Sequence, residues 1–162
     1  MTTATLRCGG HITLLFTVDK STTLKRSQGS KGAGFSIQHG VEITGTLHRK
    51  NAPTGEPMAG ITPDLRNEQD APEPPIVTVK DMHGEHLERV DLYLDFIEAC
   101  YDATLLRSDE HIEMDITLEC PTSQGFGMSA AGLIAAGRVI HALTGRGRAT
   151  QYLKIAHRIE RV

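Results

Sequence analysis

The sequence predicts an α+β protein in which a sheet packs against helices. Two patterns carry this prediction. Residues 112–118 alternate between apolar and polar types, as in a strand with one buried face. Over residues 128–143 the apolar types instead recur at helical spacing, and Gly145 provides a stop at the C-terminal end. At 162 residues the chain is long enough for one domain with its own core.

Further elements follow from the N-terminus onward. Residues 11–18 are β-branched and apolar and predict a strand, and a polar, glycine-rich loop is expected from Asp19 to Gly34. Residues 35–47 alternate well enough for a hairpin or two strands that turn near His39 and Gly40.

The second half supplies the remaining elements. Six of the seven prolines fall in residues 51–75, which predicts a surface loop within one domain. A short strand is expected at residues 76–80, then helices over residues 87–106 and from Ala149 to the end. The last helix carries an apolar stripe, and we expect it to need a cover from outside the chain. The stripe comprises Tyr152, Leu153, Ala156 and Ile159.

Composition excludes several classes of protein. No apolar run approaches the roughly 20 residues of a membrane span, and the first 17 residues lack the pattern of a signal peptide. Cys8, Cys100 and Cys120 are widely spaced and form no metal-binding pattern. We therefore expect free thiols and a cytoplasmic location.

Charge is unevenly distributed. Residues 1–50 carry seven Lys/Arg against two Asp/Glu, residues 51–120 carry four against seventeen, and residues 121–162 carry six against one. The two basic thirds suit a small anionic ligand, whereas the acidic middle argues against a nucleic-acid surface. Ordinary solvated surfaces of differing sign explain the same pattern equally well.

One segment indicates chemistry, at residues 121–131 between the clear strand and the long helix. Gly125 and Gly127 permit backbone angles and close approaches that a Cβ would block. The helix start then offers unpaired N–H groups, which makes an anion site, and Ser123 and Ser129 add hydroxyl groups. A tight strand-to-helix turn without a ligand is the alternative, and neither a Walker A loop nor a Rossmann fingerprint fits the spacing.

The residues of this segment, Pro-Thr-Ser-Gln-Gly-Phe-Gly-Met-Ser-Ala-Ala, closely resemble the second motif of the GHMP kinases, Pro-x-x-x-Gly-Leu-Gly-Ser-Ser-Ala. Phe126 and Met128 make the variant similar to the pantoate kinase branch. That branch is similar again at residues 10–13 (Gly-His-Ile-Thr), residues 29–34 and residues 156–160. The resemblance implies a ribosomal protein S5 domain 2-like arrangement, with a mixed, mainly antiparallel sheet packed against helices.

The resemblance also implies roles for individual residues. Catalysis would involve Ser129, His157 and Glu160, of which Ser129 and Glu160 would hold Mg²⁺. Lys31 or Arg26 would pair with a substrate carboxylate. The ATP phosphates would be held by Pro121, Ser123, Gly125, Phe126, Gly127, Met128, Ser129 and Ala130. The substrate pocket would be lined by His11, Gly29, Ser30, Lys31 and Gly32.

The implied reaction is transfer of the γ-phosphoryl group of ATP to the hydroxyl of pantoate, giving 4-phosphopantoate for coenzyme A synthesis. In these kinases a catalytic Asp, a third glycine-rich motif and a C-terminal domain follow the part matched here. We therefore expect residues 1–162 to be the N-terminal, ATP-binding domain. Its completion would come from a C-terminal companion chain or a homo-oligomer, and the chain alone would self-associate or expose an apolar patch.

Three alternatives stay open. The first is a GHMP kinase for another small alcohol, such as mevalonate, homoserine or shikimate. The second is a non-catalytic module that binds a nucleotide or metabolite without turnover. The third is a structural domain that shares the fold with the second domain of ribosomal protein S5.

Overall fold

The structure, a computed structural model, describes residues 1–19, 29–50 and 73–160. Strands and helices alternate in groups along these residues, which confirms the α+β prediction. In chain order the elements are β1 (Thr2–Asp19), β2 (Gly29–Arg49), β3 (Ile76–Lys80), β4 (His86–Leu87), α1 (Asp91–Asp102), β5 (Glu110–Leu118), α2 (Met128–Thr144) and α3 (Ala149–Glu160).

The five strands form one sheet in the order β1-β2-β5-β3-β4. All neighbouring strands are antiparallel except β3 and β5, so the sheet is mixed and mainly antiparallel, as expected. Alternate residues of β2 and β5 point into the core, whereas threonines occupy the other face of β1 and β2. Two threonine pairs form hydrogen bonds across that face, Thr3 with Thr46 at 3.2 Å and Thr5 with Thr44 at 2.9 Å.

Helix α2 is the centre of the helical layer, because it packs on the sheet and against both other helices. Its small residues allow this. Gly132 lies directly against the Tyr93 ring of α1, and Gly137 lies against Tyr152 of α3. The α2 prediction is confirmed, including the stop at Gly145, which has a left-handed φ of 67°.

The first two strands are longer than the sequence predicted. β2 runs without a turn from Gly29 to Arg49, so both the hairpin at His39–Gly40 and the loop over residues 29–34 are wrong. The irregularity that resembled a turn is a register shift: Gly9 pairs with Gly40, but His11 pairs with Ser36. The remainder of the predicted loop, residues 20–28, lies outside the described residues.

Beyond the register shift, β1 and β2 leave the sheet as a two-stranded arm, residues 11–19 paired with residues 29–36. β5 pairs with β2 only over residues 41–49, so this arm has no third strand beside it in the described part of the chain. Among the arm side chains that the structure describes, four large apolar ones are exposed. They are Leu14 (65% exposed), Leu15 (64%), Phe16 (65%) and Phe35 (50%).

The helix predicted over residues 87–106 is wrong at both ends. Residues 86–87 pair with β3 as β4, and α1 spans only Asp91–Asp102. Thr104 follows with a φ of 57°, which turns the chain back towards β5. The short strand at residues 76–80 is confirmed, whereas residues 51–72 of the proline-rich loop lie outside the described residues.

Helix α3 begins at Ala149 as predicted, but most of its apolar stripe is covered within the chain. Of the predicted stripe, Tyr152 and Ala156 are buried against the other helices and Ile159 is half-buried, so the expected external cover is wrong for the first two. Leu153 remains 49% exposed. No helix in the described ranges is long and apolar enough to span a bilayer.

A buried carboxylate anchors the end of the sheet where β5 begins. Glu110 is 2% exposed and pairs with Arg146 of the α2–α3 connection and with Arg49 at 3.2 Å. It also accepts the backbone N–H of Arg107 at 3.0 Å. These bonds compensate its burial, because a buried charge is tolerated when it is paired.

Candidate anion-binding cleft

The glycine segment after β5 has an alternating backbone. Ser123, Gly125 and Gly127 have positive φ angles of 61°, 80° and 64°, while Gln124 and Phe126 between them do not. An alternation between left- and right-handed residues turns successive N–H groups towards one side and can form a concave anion-binding nest. The three positive φ angles at every second residue fit this pattern.

The helix that follows leaves its N-terminus open. The first intrahelical bond runs from Ala131 N to Gly127 O at 3.0 Å, so the N–H groups of Met128, Ser129 and Ala130 precede the helical ladder. No side chain caps the helix, and its first turn contains no acidic residue. The positive end of the helix dipole thus faces outward, where an anion would be stabilised.

The turn forms one wall of a cleft of about 700 Å³. Hydroxyl groups of Thr122, Ser123 and Ser129 lie on the turn side of it. The interior is mainly apolar, and burial raises the pKa of Tyr93, which keeps its hydroxyl protonated. The other lining residues are Val79, His86, Leu87, Glu88, Arg89, Leu92, Leu118, Pro121, Gly125, Phe126, Gly127 and Met128.

Strand β1 supports the turn from behind. The N–H of His11 donates to Phe126 O at 3.0 Å. A Cβ at Gly10 would lie 2.9 Å from that same oxygen and 2.8 Å from Met128 Cε, so only glycine fits there. Two segments that the sequence analysis singled out separately, residues 10–13 and 121–131, are therefore in direct contact.

A second, shallower depression of about 360 Å³ adjoins this contact. It is lined by His11, Thr13, Phe16, Gly32 and Ala33. The imidazole of His11 lies over Gly34 and its Nδ1 is 3.3 Å from Thr13 Oγ1. His11 and Gly32, both predicted to bind substrate, thus line one surface.

The other predicted substrate residues lie farther along the arm. Lys31 is exposed and pairs with Thr17, whereas Ser30 and Gly29 pair with Val18 and Asp19 at the far end. At about 3.3 Å per residue, the backbone of Ser30 is roughly 20 Å along β2 from Ser36, the partner of His11. Arg26 lies outside the described residues.

The predicted phosphate residues come together, but the predicted helix pair does not join them. Of the eight predicted phosphate residues, only Ala130 does not line the cleft; it is half-buried in the first turn of α2. His157 and Glu160 lie exposed on α3 and line neither the cleft nor the depression.

The wall opposite the turn was missed at the sequence level. His86 lines the cleft from β4, and Glu88 and Arg89 line it from the β4–α1 connection, within the stretch that was predicted to be helical. Arg89 is a cation within the strongly acidic third of the chain, which was the one signal that set it apart.

The chemistry of the lining fits a phosphate better than a protein-held metal. In the described residues no three His, Cys, Asp or Glu side chains are arranged to hold a metal ion. Magnesium usually retains waters and binds through substrate phosphates and one or two carboxylates. Ser129 and Glu88, the one carboxylate that lines the cleft, are the residues that meet this requirement.

Comparison with solved structures identifies the architecture. A phosphotransferase related to the CoA biosynthesis pathway matches with a TM-score of 0.66 and 18% identity, over 98% of this chain and 45% of that chain. Mevalonate kinase from methicillin-resistant Staphylococcus aureus matches with a TM-score of 0.53 and 15% identity, over 100% of this chain and 46% of that chain. Lactococcus lactis galactokinase complexed with galactose matches at 0.56 and 15%, over 98% and 37%.

The fold is that of the GHMP-family kinases. This confirms the resemblance found in the glycine motif at the level of the fold. The chain spans less than half the length of each of these GHMP-fold proteins. No family model and no curated protein matches the sequence.

Proposed function

We propose that the chain is the N-terminal, nucleotide-phosphate-binding part of a GHMP-type small-molecule kinase. The observation that carries this proposal is the open N-terminus of α2 behind a turn of alternating backbone, facing a cleft large enough for a nucleotide. The fold shared with solved kinases supports it.

In the proposed complex the phosphates lie against the N–H groups of residues 125–130. The mainly apolar part of the cleft, from Val79 to Leu92, receives the nucleoside. Phosphoryl transfer asks the protein chiefly for positioning and charge neutralisation, which the helix N-terminus and Arg89 would provide. Bound Mg²⁺, held by Ser129, Glu88 and the phosphates, would neutralise charge on the nucleotide, and Glu160 stays a second proposed ligand.

We propose pantoate as the acceptor. Its hydroxyl and carboxylate would enter the depression beside His11 and Gly32. This depression adjoins residues 121–127, the proposed phosphate turn, through the His11–Phe126 bond. Lys31 on the arm supplies a cation for the carboxylate. The similar phosphotransferase of the CoA pathway supports this choice over mevalonate or galactose.

The same comparison supports the domain organisation that we propose. The chain acts as the nucleotide-binding half, and a C-terminal companion or a second copy completes the acceptor side. The arm, with its exposed Leu14, Leu15 and Phe16, is the surface on which we place this companion. The His157 and Glu160 side chains of α3 would act only if the companion closed over them.

The test is an ADP-release assay with ATP, Mg²⁺ and pantoate, on the chain alone and with any C-terminal piece encoded beside it. Turnover in the mixture supports the proposal. Mevalonate, homoserine and shikimate are assayed in parallel. If one of them has a higher kcat/KM than pantoate, that alcohol replaces pantoate as the proposed acceptor. Nucleotide binding without turnover of any alcohol favours the non-catalytic module.

Ser129→Ala sharpens this assay, because Ser129 is exposed on the first turn of α2 within the cleft. We expect kcat to fall by about 10- to 100-fold, as when a charge-stabilising group is lost, with little change in melting temperature. Thr150→Ala is the matched control, since Thr150 is exposed on the first turn of α3 and outside the cleft. Equal activity of the two variants contradicts the role given to Ser129.

A further inference from the structure

The pairing of β2 with β5 ends at Gly40 and Glu119, immediately before the phosphate turn. The N–H of Glu119 still donates to Gly40 O at 2.8 Å, as in the regular ladder. In the other direction the N–H of Gly40 donates at 2.8 Å to the carboxylate of Glu119, a side chain in place of a backbone carbonyl. The end of the ladder is therefore closed by a carboxylate.

This carboxylate is held in a fixed position. The Glu119 side chain is only 17% exposed, and its second oxygen lies 2.8 Å from Arg7 Nη2. Arg7 in turn is fixed through its backbone carbonyl, which accepts from Arg138 of α2 at 3.0 Å. Strand β1, strand β5 and helix α2 are thus tied together around Glu119.

Gly40 connects Glu119 to the phosphate turn through close contacts. It is buried, and a Cβ built on it would lie 2.6 Å from Gly10 N. Gly10 packs against Phe126 O and Met128, and the next residue, His11, donates its N–H to Phe126 O. A continuous line of close contacts runs from Glu119 through Gly40 and Gly10 to the turn.

We propose that Glu119 is a positioning residue that fixes the His11 side of the site relative to the phosphate turn. This inference rests on the proposed kinase function, because it assigns Glu119 the task of setting the distance between the acceptor and the phosphates. Loss of the carboxylate leaves the buried Gly40 N–H without an acceptor. The backbone at the register shift, which includes His11, then becomes more mobile. A misplacement of about 1 Å between reacting groups lowers a rate by up to about 100-fold.

The kinetic test compares three variants in the intact protein. Glu119→Ala removes the Gly40 bond, whereas Glu119→Gln keeps an oxygen that accepts it. Glu42→Ala is the matched control, since Glu42 forms the other ion pair of Arg7, at 3.1 Å, without touching Gly40. We expect Glu119→Ala to lower kcat/KM for the acceptor by about 10- to 100-fold, with the Kd for ADP changed by no more than about threefold. In Glu119→Gln and Glu42→Ala, kcat/KM should stay within about threefold of the wild-type value, because the loss of an exposed ion pair has an effect of about that size.

A second readout does not depend on turnover. Hydrogen exchange of the Gly40 and His11 amides should accelerate together in Glu119→Ala, by about tenfold or more, and in neither control. Acceleration confined to Gly40, or unchanged acceptor kinetics in Glu119→Ala, overturns the inference. If the wild type turns over no alcohol, the kinase proposal fails, and joint or separate acceleration of the two amides still decides the role of Glu119.

Discussion

Gly127 marks the point where the phosphate turn becomes helix α2, and its constraint is angular. A Cβ there would have its nearest neighbour at 3.7 Å, which is ordinary contact, but φ is 64°. For an L-residue such a conformation costs about 1–2 kcal/mol. A side chain at this position would therefore disturb the N–H nest by changing the backbone, without any clash.

Gly127→Ala tests this with a control inside the same helix. Gly145, at the other end of α2, has a φ of 67° and open space around it. Both alanine variants should lose about 1–2 kcal/mol in the free energy of unfolding, measured with urea. Only Gly127→Ala should weaken ADP binding in calorimetry, by about tenfold, the equivalent of one charge-assisted hydrogen bond. Equal ADP affinity of the two variants would mean that the turn does not contact the phosphates.

Cys100 gives a prediction for alkaline pH. Burial raises the pKa of its thiol to about 12, whereas the unfolded chain titrates near 9.0. The folded state holds the thiol proton more tightly than the unfolded chain does. The contribution of Cys100 to the free energy of unfolding is therefore complete below pH 9 and is lost as pH rises towards 12. The slope is at most about 1.4 kcal/mol per pH unit.

Urea unfolding at pH 8, 9 and 10 checks the slope. The wild type should lose stability above pH 9, and Cys100→Ala should show a smaller loss over the same interval. Cys120→Ala keeps Cys100 and should follow the wild type. A steep decline that persists in Cys100→Ala would assign the alkaline loss to other groups, such as Tyr101, whose pKa burial also raises to about 12.

At the scale of elements, the close approach of α1 and α2 depends on Gly132. A Cβ on Gly132 would overlap the hydroxyl of Tyr93 and lie 2.9 Å from its Cζ. Gly132→Ala should therefore destabilise the protein by about 1–3 kcal/mol through overpacking. Tyr93→Phe removes the overlapping oxygen, so the double variant should recover part of this loss.

The measurement is a double-mutant cycle by urea unfolding. A favourable coupling of about 0.5 kcal/mol or more between Gly132→Ala and Tyr93→Phe shows that the clash is local to this contact. Additive losses would show that alanine disturbs α2 elsewhere. Because Tyr93 also lines the cleft, ADP affinity in the same variants reports whether the crossing sets the cleft width.

The elements that the sequence predicted well are those with a local signal. β5 alternates cleanly, and α2 has a helical period with a glycine stop, so both were located almost to the residue. β2 was misread because its register shift at Gly40 depends on β1, some thirty residues away. The inward-facing Glu110 was equally invisible, since its partner Arg146 comes from a distant connection.

In the candidate site, too, the parts with a local sequence signal were predicted and the parts that depend on distant residues were not. The proposed phosphate turn is contiguous in sequence, so glycine, serine and a helix start were enough to predict an anion site there. The opposite wall, with Glu88 and Arg89, arises only when β4 pairs with β3 and displaces the start of α1. His157 and Glu160 came from the resemblance alone and stay predictions; both side chains are exposed on α3.

For the whole molecule, one sheet and one helical layer place the glycine turn, residues 121–127, at the end of β5, beside the arm. The positive end of α2 and the Gly10–His11 segment meet there, whereas the charge network of Glu110 secures the end where β5 begins. Under the proposed function, the nucleotide binds at one end of the domain, and the Glu110 network lies at the other. We propose that the open N-terminus of α2 holds the nucleotide phosphates.

The most direct measurement is an NMR titration of the isotope-labelled protein with ADP, followed by pyrophosphate as competitor. We expect the largest amide shifts at Gly125, Gly127, Ser129 and Ala130, reproduced by pyrophosphate, and in Gly127→Ala the same shifts should need about tenfold more ADP. Binding of ADP with shifts only elsewhere, or no binding with or without Mg²⁺, would contradict the assignment of this turn as a phosphate site.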